Sequence, residues 1–498
     1  MVTTSPPRAD ADVQRWGNLI GGEWVAAASG GTFENRSPAD TDDLVGRFAA
    51  SGAEDVERAV SAAAEAAAGW RATSPLARAA ILSKAADIMM SRVEQIGREL
   101  TREEGKTLKE GIGETTRAAQ ILRYYAGDAQ QPDGEHYPSA SLTTLLYTVR
   151  EPLGVVAVIT PWNFPIAIPT WKVAPALAYG NTVVLKPASF TPLCAVRLAE
   201  ALQEAGLPPG VLNLVTGSAK DTGDPLVRDA RVTAITFTGS NEVGSSLKHV
   251  AAETGAKLQL ELGGKNPAIV LADADLDHAL THVVNGAMMS TGQKCTATSR
   301  AIVDRRVADR FTGMLTDRIA GLKVGDPLDA GTAIGPLISA EAAERVGGEV
   351  ERAAAGGATL LTGGGRPDDD GTRRGHFLRP SLFGDVAPDS RLGQEELFGP
   401  VLGVLAVDGL DEAISVANNV RFGLSASLFT RDLGRALRFA REIQAGIVHV
   451  NSETAGAEPQ VPFGGMKGSS SYSREQGKAA REFFTQVKTV YIDPPPDA

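Results

Sequence analysis

VVAVIT (155–160), TVVLK (182–186), VLNLVTG (211–217), VTAITFTG (232–239) and KLQLELGG (257–264) punctuate one stretch of the chain, and their reading decides the fold. Each is a short apolar run rich in β-branched residues, as a strand buried on both faces is. Between them lie IPTWKVAPALAYG (168–180), TPLCAVRLAEALQEAG (191–206), DPLVRDA (224–230) and NEVGSSLKHVAAETG (241–255), which read as helices, most of them closed by glycine. Five strands alternating with four helices predict an α/β fold with an open, doubly wound parallel sheet of the Rossmann type. Such a sheet binds its ligand at the carboxyl ends of the strands. The loops there are PWNFP (161–165), KPAS (186–189), TGSAKD (216–221) and FTGS (237–240). They are short and polar, which favours a nucleotide over an α/β domain with no such ligand.

Outward from this stretch the pattern changes. Residues 1–14 are polar and read as a loose tail, and Ala53 to Gly127 reads as helical. A second α/β region follows the sheet. Residues 273–291 read as a helix, AIVD (301–304) as a strand and RVADRFTGMLTDRIAGL (306–322) as an amphipathic helix. ATLLTGG (358–364), LFGPVLGVLAV (397–407) and GIVHVN (446–451) read as further strands. LTTLLYTVREPLG (142–154) and FFTQVKTVYI (483–492) fit neither region. Both look like edge strands, to be paired with each other, with another subunit, or with nothing.

The chain has 498 residues and a net charge of −11, from 49 basic and 60 acidic side chains. That balance argues against nucleic-acid binding and against an anionic membrane surface. No run of about 18 apolar residues suggests a transmembrane span. The N-terminal residues lack the apolar stretch of a secretory signal, and two cysteines make no disulfide framework, so a cytoplasmic location is expected.

Neither GxGxxG nor GxxxxGK[ST] occurs. The best anion-binding candidate is FTGSNEVG (237–244), where Gly239 permits close backbone approach and Ser240 could meet a phosphate or cap a helix. Lys186, at a strand end, could meet a ribose hydroxyl or a phosphate. An acidic residue near Lys186 would favour an unphosphorylated ribose; Ser189 stands there instead, so NADP is expected, with NAD also possible.

GQKCTATSR (292–300) places Cys295 among glycine and polar neighbours, which reads as an accessible nucleophile, whereas Cys194, mid-helix, reads as a buried small hydrophobe. Glu261 ends an apolar strand, where a carboxyl should have a raised pKa and could act as a base; a salt bridge to Lys265 is the alternative. Asn163, in the proline-stiffened PWNFP loop, is either an oxyanion donor or a turn asparagine. EELFGP (395–400) offers Glu396 for a ribose and Phe398 for a nicotinamide face, or is a loop with a packed aromatic. No metal is expected: His278 and His282 are four apart, but no HExxH glutamate lies between them.

PWNFP, KPAS, FTGS, ELGGKNP (261–267), GQKCTATSR, EELFGP and PFGGMKGSS (462–470), in this order and spacing, resemble the aldehyde dehydrogenase superfamily from about residue 17 to 492. The resemblance implies a dinucleotide-binding domain (15–130 and 153–263), a second α/β catalytic domain (264–465) and a small β bridging element (131–152 and 478–498). It implies a homodimer or homotetramer built through that element. It implies Cys295 as nucleophile, Glu261 as base, Asn163 as oxyanion donor, Lys172 near the active site, and Lys186, Ser240 and Glu396 in the cofactor site with Trp162 and Phe398 nearby. Phe164, Trp171 and Phe463 would line a substrate tunnel. The implied reaction is oxidation of a small aldehyde to a carboxylic acid through a thiohemiacetal and a thioester. The details look most like enzymes of α-ketoglutarate semialdehyde, with succinate semialdehyde or a broad aldehyde range as alternatives.

Overall fold

The computed structural model describes residues 14–495. The expected polar tail, save Gln14, and the last three residues of the expected bridging element lie outside the described residues.

Two seven-stranded sheets organise the chain. The first runs Lys257–Glu261, Val232–Thr238, Val155–Ile159, Thr182–Lys186, Leu212–Leu214, Asn18–Ile20, Glu23–Val25. Its first five strands are the five expected, all parallel. The last two are an antiparallel hairpin that the sequence reading had passed over. Three-residue strands are too short to show a period of two. What marks them is the turn: Gly21 and Gly22 take φ of 62° and 89°, and the Gly21 N–H donates to Asn213 Oδ1 at 2.9 Å. Arg15–Trp16, Leu44–Ala49 and Thr32–Arg36 form a further small sheet that was likewise unread. Helices Ala53–Ala72, Pro75–Ser91, Val93–Glu104 and Leu108–Asp128 fill the span expected to be helical. Apolar cores cover both faces of the sheet.

The second sheet runs Thr359–Thr362, Ser381–Gly384, Val401–Val407, Thr298–Asp304, Asn266–Val270, Ser425–Phe429, Ile447–Val450. It is parallel except at its first edge. Three of its strands were not expected; Asn266–Val270 begins inside the ELGGKNP motif. LFGP does not belong to the 401–407 strand, because Phe398 is left-handed at φ 55° and Pro400 offers no N–H to a ladder.

The two orphan strands pair with each other. Leu145–Pro152 and Thr485–Ile492 run antiparallel in unbroken register, from Leu145 opposite Ile492 to Pro152 opposite Thr485, and His136–Tyr137 adds a short third strand. Phe483 and Phe484 are not part of this strand; they close the helix Ala479–Phe484 and are buried in the first core.

The chain passes from one sheet to the other in four residues, leaving the first at Glu261 and entering the second at Asn266. That crossing brings Gly264 up against the Cys295 loop.

Candidate active site

Cys295 follows the helix Leu276–Met288 and a tight turn in which Ser290 and Thr291 are left-handed, at φ 53° and 54°. Glu110 holds this turn: its Oε1 accepts from the Ser290 N–H at 2.6 Å and from the Ser290 hydroxyl at 3.1 Å. Asn266 Nδ2 donates to the carbonyls of Cys295 at 2.8 Å and Ala297 at 2.9 Å. Cys295 is partly exposed. Its thiol is pushed up to about 12, by desolvation first and then by the charges of Glu396 and Glu261. Burial and the neighbouring carboxyls thus disfavour its ionised form.

Asn163 is buried, and its Nδ2 donates to the carbonyl of Gln293, two residues before Cys295, at 3.0 Å. A carboxamide has two N–H donors, so one remains for a reacting oxygen. The prolines alone do not hold this loop. Lys106 Nζ donates to the Asn163 carbonyl at 2.7 Å and to Glu114 Oε2 at 2.6 Å. Glu114 Oε1 accepts the N–H groups of Ile166 at 3.0 Å and Ala167 at 3.1 Å. Lys106 and Glu114 lay in a helical stretch with no motif, and sequence reasoning missed them.

Glu261 is buried. Its Oε2 accepts from the Ser470 hydroxyl at 2.5 Å, and its Oε1 has no partner among the described residues. It makes no salt bridge to Lys265. Burial, reinforced by the charge of Glu475, holds its pKa well above the usual carboxylate range, as expected of a base. Lys172 does not line the cavity: its amine is bonded to Glu475 and, at 2.8 Å, to Thr236 Oγ1. Glu475 was missed; it lies in SREQG (473–477), just beyond the PFGGMKGSS motif. Gly263 and Gly264 are required by close approach. A Cβ at 263 would stand 2.1 Å from Glu396 Oε2, and one at 264 would stand 2.6 Å from the Cys295 carbonyl oxygen. Glu396 accepts the Gly264 N–H at 2.9 Å, and burial raises its pKa to about 7.

A cavity of about 280 Å³ joins Cys295 to Phe164, Trp171 and Phe463, the three aromatics expected to line a tunnel. The Trp171 and Phe463 rings lie 5.5 Å apart, and the Lys106 amine sits 4.1 Å over the Phe164 ring. Trp162 and Phe398 meet edge to face, with ring centroids 5.5 Å apart.

A second cavity, of about 870 Å³, is lined by Ser189, Gly217, Ser218, Lys220 and Asp221 among others. Ser189 donates to the Gly217 carbonyl at 2.8 Å. Lys186 is buried, its amine bonded, among the described residues, only to the Pro187 carbonyl at 3.1 Å, and desolvation lowers its pKa to about 8. A buried amine with no carboxylate nearby suits an anionic ligand, so these residues fit a dinucleotide phosphate. The Gly239 N–H donates to the Glu261 carbonyl at 3.0 Å, and the Ser240 hydroxyl accepts from Val243 N at 3.3 Å, capping the helix Asn241–Thr254.

The Aldehyde dehydrogenase family model matches residues 24–490. An alpha-ketoglutaric semialdehyde dehydrogenase of Bacillus subtilis is 49% identical over 477 residues, 96% of this chain and 98% of that protein. An alpha-ketoglutarate semialdehyde dehydrogenase of Haloferax volcanii is 45% identical over 475 residues, 95% of this chain and 98% of that one. Among solved structures, betaine aldehyde dehydrogenase from Staphylococcus aureus in complex with NAD+ superposes with a TM-score of 0.94 at 35% identity, covering 97% of this chain and 95% of that one.

Proposed function

We propose, from the premise that this chain belongs to the aldehyde dehydrogenase family, that it oxidises α-ketoglutarate semialdehyde to 2-oxoglutarate and prefers NADP over NAD. The observation that supports the reading is Cys295 in an aromatic-lined cavity, with the Asn163 amide bonded to the carbonyl two residues before it and the half-paired Glu261 carboxyl near enough for its charge to act on the thiol. The semialdehyde comes from the names of the relatives at 49% and 45% identity.

Cys295 Sγ adds to the aldehyde carbon after its proton is withdrawn. The Glu261 carboxylate, made more basic by burial, accepts that proton. The free Asn163 N–H and the Cys295 backbone N–H stabilise the oxyanion, each donor contributing about 3–4 kcal/mol to the transition state. Bound NAD(P) supplies the hydride acceptor in this family's chemistry. Glu261 passes that proton on to solvent and then takes one from a water molecule; the water attacks the Cys295 thioester, and collapse of the adduct expels the Cys295 sulfur and releases the acid. Lys186 and Ser189 would hold the adenosine side of the cofactor, Gly239 and Ser240 would lie toward its phosphates, and Glu396, Phe398 and Trp162 would lie toward its nicotinamide riboside.

In this reading residues 15–130 and 153–263 form the cofactor domain and 264–465 the catalytic domain. Residues 131–152 and 478–498 bridge subunits of a homodimer or homotetramer in the cytoplasm. Among the described residues no helix is long and apolar enough to cross a membrane. Initial rates with α-ketoglutarate semialdehyde, succinate semialdehyde and a simple aldehyde, each with NADP and NAD, test the proposal. The first substrate with NADP is expected to have the highest kcat/KM; equal rates across the panel would overturn it.

A further inference from the structure

The α-ketoglutarate semialdehyde carries a carboxylate and a 2-oxo group at the end remote from the aldehyde. An apolar tunnel recognises neither. Along the helix Leu108–Asp128, Glu110, Gly113, Glu114 and Arg117 stand at positions i, i+3, i+4 and i+7, so they share one face, and all four line the cavity of Cys295. Gly113 leaves this face open; a Cβ there would meet nothing within 4 Å.

The cavity's cations differ in what they hold. Lys106 is committed to Glu114 and the Asn163 carbonyl. Lys294 turns its amine to the Asn285 carbonyl at 3.3 Å and lies in the field of Glu453. Arg117 has no close partner among the described residues; its one ion pair is a 4.0 Å contact with Glu458, and its side chain is 36% exposed, which puts it at the open end. Glu458 is itself 64% exposed. Two further donors in the cavity lack partners. Trp171 is 8% exposed and Gln476 1% exposed, yet neither the indole N–H nor the side-chain amide nitrogen has an acceptor among the described residues. Native proteins leave few buried donors unpaired.

We propose that these three residues read the 2-oxocarboxylate end of the substrate. The Arg117 guanidinium takes the carboxylate, displacing Glu458, and the Trp171 and Gln476 N–H groups donate to the 2-oxo oxygen. This rests on the substrate reading above and says how that selectivity is built. A site made to hydrogen-bond a substrate group rejects the analogue that lacks it.

Three aldehydes of equal chain length separate the parts: α-ketoglutarate semialdehyde, 5-oxopentanoate without the 2-oxo group, and pentanal without either group. For the unaltered enzyme kcat/KM is expected to fall in that order. Arg117→Met should lower kcat/KM for both anions roughly 30- to 100-fold, the loss expected of a charge-assisted hydrogen bond, and leave pentanal unchanged. Arg117→Lys, which keeps the charge and loses the fork, should fall between. Glu458→Gln should raise kcat/KM for both anions only. Trp171→Phe combined with Gln476→Met should bring α-ketoglutarate semialdehyde down to 5-oxopentanoate. Arg117 variants that slow all three aldehydes alike, or that keep the anion-to-pentanal ratio, overturn the anchor. A double variant that keeps the 2-oxo preference overturns the donor pair. An unaltered enzyme that fails to discriminate the semialdehyde from pentanal overturns the substrate reading itself, before any variant is made.

Discussion

Lys186 is a buried amine with a pKa near 8, lowered by desolvation alone. It is charged below about pH 8 and neutral above, and only the charged form attracts a phosphate. The dissociation constant for NADP should therefore rise as pH rises through 8, and the Lys186→Met variant should lose that dependence; fluorescence titration across pH 6.5–9.5 checks both. A flat profile in the unaltered protein would place Lys186 away from the phosphate. Replacing Cys295 by Ala should abolish oxidation and leave cofactor binding intact, as read by turnover and titration together. Glu261→Gln should retain a first-turnover burst of NADPH while the steady state falls about 10²- to 10⁴-fold; loss of the burst as well would assign Glu261 to the first half of the reaction. At this scale Cys295, Glu261 and Asn163 were legible as candidates, because each sits in a local motif that states its environment. Lys106, Glu114 and Glu475 were not. Their partners lie as far as 303 residues away, at Lys172 for Glu475, and no local spacing announces such a pair.

The PWNFP loop depends on a neighbouring helix for its position. Lys106 ties the Asn163 carbonyl to Glu114 at the start of the helix Leu108–Asp128. Lys106→Met would leave buried carboxylates uncompensated, a change that costs about 3–5 kcal/mol. The variant should unfold at markedly lower denaturant, and adding Glu114→Gln should restore part of the loss. Equal stability of Lys106→Met and the unaltered protein would show that the cluster is solvated. The elements that were read correctly are those with a run long enough to display its period, such as Val232–Thr238 and Arg305–Ala320. The hairpin Asn18–Ile20 with Glu23–Val25 escaped because three residues cannot alternate legibly. Ser381–Gly384 escaped because four residues next to Pro380 resemble a loop.

The largest exposed apolar side chains on the bridging sheet sit on its strand Thr485–Ile492. Val487 is 56% exposed and Tyr491 67%, and four residues apart on a strand they share a face. If this face joins subunits, Val487→Asp with Tyr491→Asp should give a folded monomer by light scattering; an unchanged mass would put the interface elsewhere. The pairing of this strand with Leu145–Pro152 was anticipated only as one of three options, since edge strands carry no address for a partner. The two cysteines carry one more consequence for the whole molecule. Cys194 is held well above its ordinary pKa by burial, and Cys295 is raised to about 12. Alkylating agents and peroxide attack the ionised sulfur, which burial disfavours at both positions. The free enzyme should thus take up iodoacetamide slowly at pH 7.5 and survive aerobic storage without reductant; rapid uptake would show that Cys295 ionises readily in the free enzyme.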